Sequence, residues 1–191
     1  MSARPYIIAA GVAAGGLTLY GAYMFVELAT GHDNIDALRT PLIVSLAKRG
    51  HPTVDVGRAL MAIFHNEHGD GDVMELGDTT LSGGPSIGPG QVYRKTAIDL
   101  VNRGILGGGW VQAITSRDAY TAFGSDPSNL YALVDGAVAV FLDKLASVGG
   151  DIPQAIMAYN GAGDAAAQYE DKALAFEAST FGTDGGSGST S

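Results

Sequence analysis

The order of apolar and polar residues divides the chain into helical blocks separated by glycine-rich breaks. The first block, Tyr6 to Val26, runs 21 residues without a charge. About 20 apolar residues at roughly 1.5 Å each cross a hydrocarbon core of about 30 Å. Residues 6–27 are therefore expected to form one transmembrane helix after a short N-terminal segment, residues 1–5. Arg4 precedes the block, and Glu27, His32 and Asp33 follow it. That asymmetry puts the N-terminus on the cytoplasmic side and the rest of the chain outside, as a single-pass protein. A buried core helix is the competing reading, because helices apolar all round also occur inside proteins. Gly11 and Gly15 form a GxxxG pattern, which lets two helices approach closely and admits a homo-oligomer.

Beyond the first block the apolar spacing is helical. Ile35, Leu38, Leu42 and Leu46 share one face of a segment ending near Gly50. Val56 to Phe64 reads as a second apolar helix, with Asp55 as a candidate N-cap. Gly69 to Gly90 holds seven glycines, two prolines and several acids and reads as a long loop. Loops longer than about 12–15 residues are usually functional or disordered. Helix resumes over Gln91 to Asn102. It breaks at Gly107-Gly108-Gly109 and resumes over Trp110 to Phe123, then over Leu130 to Val148 and Ile152 to Tyr159. Asp164 to Ala178 is a last helical stretch. No strand alternation and no internal repeat stands out. Residues 34–178 are expected to be one mostly α domain with its own core, and residues 179–191 a Gly/Ser-rich tail. Trp110 is assigned to that core.

Charge changes this picture by its placement. Lys plus Arg is 11 and Asp plus Glu is 20, for a net charge of −9. Between His65 and Asp78 lie five acids (Glu67, Asp70, Asp72, Glu75, Asp78) and no Lys or Arg, and from Asp164 onward lie five acids and one Lys. An acidic chain without clustered Lys and Arg is no nucleic-acid binder. Cys is absent, which excludes disulfides, thiolate metal sites and a thiol nucleophile. His65 and His68 are three apart but lack a clear third ligand, and Asp70-Gly71-Asp72 lacks the ligand spacing of a calcium loop. No metal site and no cofactor is expected.

Three segments carry candidate chemistry. The first is an apolar helix ending in an acid, Ala59 to His68. The second is Ser86-Ile87-Gly88-Pro89-Gly90-Gln91, passing from a glycine-rich loop into a helix. The third is Ala155 to Gly163, containing Ala158-Tyr159-Asn160-Gly161. A carboxyl group at the end of an apolar run is partly desolvated, which raises its pKa, and the neighbouring acids push the same way. Glu67 is thus a candidate general acid for a glycosidic oxygen. Gly88 and Gly90 permit close approach by an extended polymer or by another backbone. Gln91, Tyr159 and Asn160 offer amide and hydroxyl groups that orient sugars.

In this order and spacing the three segments resemble the soluble lytic transglycosylase family, with its goose-type lysozyme-like fold. Glu67 matches the family's acid. Gly88-Pro89-Gly90-Gln91 matches its Gly-Leu-Met-Gln segment, and Ala158-Tyr159-Asn160-Gly161 its Ala-Tyr-Asn segment. Asn129 to Leu145 is similar to the helix preceding the latter. His68 stands where the family has Ser, and Pro89-Gly90 replaces the apolar pair. The resemblance spans roughly residues 54–163.

The resemblance implies cleavage of the β-1,4 bond between N-acetylmuramic acid and N-acetylglucosamine in a peptidoglycan strand. It implies Glu67 as acid and then base, giving a 1,6-anhydro end, with Tyr159 and Asn160 orienting Glu67 or the acetamido group. Ser86, Gly88, Gln91 and His68 are the expected substrate-binding residues. The expected setting is local cell-wall opening, with the domain on the cell-wall side of a membrane or carried in a phage virion assembly. Hydrolysis of the lysozyme type remains open, since Asp70, Asp72, Glu75 and Asp78 supply second carboxylates. So does a non-enzymatic, membrane-anchored structural or glycan-binding protein with a degenerate site.

Overall fold

The computed structural model describes residues 15–79 and 84–182, with side chains from residue 21 onward. The described chain is mostly α-helical. Its helices are α1 (Gly15–Glu27), α2 (Asp33–Asp36), α3 (Arg39–Lys48), α4 (Val54–His68), α5 (Arg94–Asn102), α6 (Gly109–Ala113), α7 (Arg117–Ser125), α8 (Leu130–Ser147), α9 (Ile152–Asn160) and α10 (Asp164–Phe181). Strands β1 (Ser86–Ile87) and β2 (Val92–Tyr93) form one short antiparallel hairpin between α4 and α5, pairing Ser86 with Tyr93 and Ile87 with Val92.

Two helices make the centre. In α4 every residue from Val56 to Phe64 is buried, and in α8 Leu133, Val134 and the run Gly136 to Phe141 are buried. Such runs leave no polar face, so each helix must be enclosed on all sides. Helices α1, α2, α3, α9 and α10 surround α4, while α3, α5, α9 and the hairpin surround α8. Gly136 of α8 also admits close approach by Trp110 of α6. A Cβ there would lie 2.2 Å from the Trp110 ring, whose Nε1 donates to the Ala132 carbonyl. Trp110 is 2% exposed, a core residue.

The expected membrane anchor is not what forms. The described part of residues 6–27 is the 13-residue α1, about 20 Å long at 1.5 Å per residue. No helix among the described residues is long and apolar enough to cross a membrane. Residues 6–14 of the expected span, including Gly11, lie outside the described residues. Instead, the end of α1 docks on the domain. Met24 and Leu28 are fully buried in the common core. Arg58 of α4 pairs with Glu27 at 2.7 Å, and the Arg39 guanidinium lies 4.1 Å over the Phe25 ring. Met24, within the expected span, is protein-facing, and Leu28 just beyond that span packs into the same core.

Several boundaries also differ. The stretch from Asn34 to Gly50 is two helices, α2 and α3. Trp110 to Phe123 is likewise two, because the Ser116 hydroxyl accepts from the Ala119 amide at 3.0 Å and starts α7 afresh. Thr53, not Asp55, occupies the N-cap of α4, and its side chain makes no cap hydrogen bond. Residues 69–90 are not one open loop, since β1 lies within them. The last helix runs to Phe181, past Ala178; residues 183–191 of the expected tail lie outside the described residues.

Candidate active site

The last turn of α4 opens into a cleft of about 510 Å³. Glu67 and His68 line it from α4, Glu75 and Asp78 from the loop that follows, Ser86, Gln91 and Tyr93 from the hairpin, and Tyr159 and Asn160 from the end of α9. The cleft thus gathers Glu67, His68, Ser86, Gln91, Tyr159 and Asn160, as the sequence suggests. Gly88 is not on its wall. A second depression of about 840 Å³ lies between α3 and α8, and none of the expected site residues lines it.

Glu67 is half-buried. Burial raises its pKa, and a hydrogen bond from the Tyr169 hydroxyl to Oε1, at 2.7 Å, opposes the rise. Burial, not the neighbouring acids that the sequence also suggests, is the main cause of that rise. Asp70 points instead to His32 Nδ1 at 2.9 Å, and Asp72 accepts from the Met74 amide. The rise leaves a larger protonated fraction near neutral pH than an exposed carboxyl has.

Tyr169 was invisible to motif reading. It lies on α10, 102 residues from Glu67. The route back is the turn after α9: Gly161 has φ 123° and Gly163 φ 88°, values that L side chains rarely adopt. This turn reverses the chain so that α10 packs on both α9 and α4. The glycines beside Tyr159 and Asn160 therefore place a different tyrosine on the glutamate. Burial and the nearby Glu67 push the Tyr169 phenol well above its ordinary pKa, so it stays a donor.

Five expected roles change. The Tyr159 hydroxyl donates to the Gly90 carbonyl at 2.7 Å, so it braces the hairpin turn and does not orient Glu67. The Gln91 amide is also largely committed. Its Oε1 accepts from the Ser86 hydroxyl at 2.6 Å, and its Nε2 donates to the carbonyls of Glu75 and Gly88 at 3.0 and 3.1 Å. Gln91 holds φ at 46°, the positive-φ non-glycine position among the described residues, and these bonds hold it there. Ser86 is spent on the same network. Gly88 has φ 71°, and a Cβ on it would lie 2.8 Å from Leu133; one on Gly90 would lie 2.4 Å from the Tyr159 hydroxyl and 2.5 Å from Ala137. Both glycines serve close packing of the turn on α8 and Tyr159, not approach by a polymer.

Asn160 remains at the cleft mouth, exposed and without a side-chain hydrogen bond among the described residues. His68 lines the wall with a buried Nε2 that finds no partner there. Burial lowers its pKa, against backbone groups of Gly88, Pro89 and Asp72 that favour its charged form. His65 turns the other way, stacking on Phe176 with ring centroids 3.9 Å apart, so the two imidazoles share no site. No protein-family model, no curated protein and no solved structure matches this chain.

Proposed function

We propose that this chain is a peptidoglycan lytic transglycosylase with a lysozyme-like fold, using Glu67 as its acid and base. The observation that carries the reading is one half-buried carboxyl on a polar cleft, its pKa raised by burial, with its Oε1 held by Tyr169. A protonated Glu67 donates its proton to the glycosidic oxygen as the bond to C1 breaks. The resulting carboxylate then takes the proton of the muramic C6 hydroxyl as that oxygen bonds to C1. One group serves both steps because the proton it gives in the first returns in the second. Tyr169 holds the carboxylate between them. Asn160, with its amide free at the cleft mouth, is the group available to the acetamido substituent.

Hydrolysis is the second reading, favoured by Glu75 and Asp78 on the same cleft, where a carboxylate can hold a water. Digestion of purified sacculi separates the two. Anhydro-muropeptides in the mass spectrum support the transglycosylase, and reducing ends support the lysozyme reaction. Glu67→Gln is expected to abolish product formation. Equal product yields from both proteins overturn the proposal.

A further inference from the structure

Lys144 is a feature of the cleft that proton transfer at Glu67 does not use. It lies in the last turn of α8, one turn beyond Val140, and both residues line the cleft. The other ionisable side chains facing that space include the carboxylates Glu67, Glu75 and Asp78. An ammonium among acids pairs with one wherever geometry permits. Lys144 does not: among the described residues its ammonium makes no ion pair and no hydrogen bond. The acids close to it in sequence or on its own helix are already taken. Arg103 holds both oxygens of Asp143, so Lys144 acts on Asp143 only through space. Asp135 is held by Arg49 and Lys48.

Tyr93 adds a second, independent surface to the same cleft. The residue is 49% exposed although the neighbouring Val92 is buried. An exposed aromatic face in a polar cleft is a surface on which a pyranose ring stacks. Thr96, three residues on, adds a hydroxyl to the lining.

We propose that Tyr93 and Lys144 form a substrate subsite for a sugar bearing a carboxylate, the ring on Tyr93 and the anion on the Lys144 ammonium. This rests on the glycan-cleaving reading of Glu67. In a peptidoglycan strand the carboxylate comes from the lactyl arm of a stripped muramic unit or from the stem peptide. Glu75 and Asp78 repel the same anion. The subsite therefore selects one placement of the strand: the charged arm lies at Lys144, away from the acidic loop.

Binding by the full chain carrying Glu67→Gln, which keeps the cleft without turnover, tests the subsite by equilibrium dialysis. Three soluble strands are compared: stem-bearing, amidase-stripped, and stem-bearing with every carboxylate amidated. Lys144→Gln is expected to weaken binding of a carboxylate-bearing strand about five- to tenfold, the low end for a charge-assisted bond at a partly exposed site. It should leave the amidated strand unaffected. Lys144→Arg should restore binding, and added salt should shrink the difference. Tyr93→Ala should weaken all three alike. The strand that responds identifies the source of the carboxylate. An equal loss on amidated strands, no loss on any, or no binding of any strand by the parent protein overturns the subsite. If the Lys144 pattern holds while the Glu67 protein releases no products from sacculi, the cleavage reading falls and the anion subsite stands.

Discussion

Removing the Tyr169 hydroxyl isolates the one hydrogen bond that acts directly on Glu67. In Tyr169→Phe the ring stays, and the backbone carbonyl of residue 169 still accepts from Asn66 Nδ2 at 3.1 Å, so α10 keeps its seat on α4. What is lost is a neutral donor to a carboxylate, 2.7 Å from Oε1. A bond to a charged group contributes roughly 1.5–3 kcal/mol net, and the low end suits a half-buried site. Each 1.36 kcal/mol is about tenfold in an ionisation equilibrium. The donor favours the charged form, so its removal shifts Glu67 further toward the acid, by about tenfold. A general acid loses activity as pH rises through its pKa. The alkaline limb of kcat/KM on soluble glycan strands is therefore expected to move upward by about one pH unit. The plateau should also fall, because the carboxyl group loses its orientation. The assay is a pH–rate profile with Tyr169→Phe beside the parent, with thermal unfolding as a control on folding. An unmoved limb, or one displaced to lower pH, refutes the assignment of Tyr169 to Glu67.

Three further outcomes follow from the same geometry. Burial raises the folded-state pKa of Glu67 above its unfolded value, so ionisation there opposes folding. Stability is lost as pH climbs from the unfolded to the folded pKa. Glu67→Gln should thus gain stability over the parent as pH rises above the ordinary carboxylate range, read in urea titrations, and a difference independent of pH refutes this. Gly90→Ala drives a Cβ to 2.4 Å from the Tyr159 hydroxyl, so about 1–3 kcal/mol of destabilisation is expected, read as a lower urea midpoint; an unchanged midpoint counts against the packing described. Met24→Ala empties a fully buried position and should lower the unfolding free energy by about 2–4 kcal/mol. A helix serving only as a separable appendage would leave domain unfolding untouched.

The helical class was legible because α4, α8 and α9 carry apolar runs at helical spacing, and the runs Val56–Phe64 and Gly136–Phe141 are buried where they stand. The hairpin was not. Strands of two residues show no alternation, and β1–β2 is held by the Gln91 side chain and by the Gly77 amide donating to Ser86, contacts between distant positions. The docking of the end of α1 is not legible in the sequence for a related reason. Apolar content does not say what covers it, and Met24 and Leu28 face Gly57, where an added Cβ would lie 2.9 Å from the Leu28 side chain.

At the site, position and role separate in the same way. Sequence spacing brings Glu67, Gln91 and Tyr159 to one cleft, yet Gln91 and Tyr159 have their polar atoms occupied by backbone carbonyls and Ser86. With both amide protons and one of two acceptor lone pairs used internally, Gln91 has no donor left for a sugar. Polar groups buried under a functional cleft must be satisfied by the protein itself, or their desolvation is uncompensated. The motif residues do much of that satisfying: they hold the Gly88–Gly90 turn against α8. Of the motif's polar residues Asn160 is left free at the mouth, and the other groups free to meet a substrate, Tyr93 and Lys144 on the wall, carry no motif mark. Tyr169, from outside every motif, holds the Glu67 carboxyl.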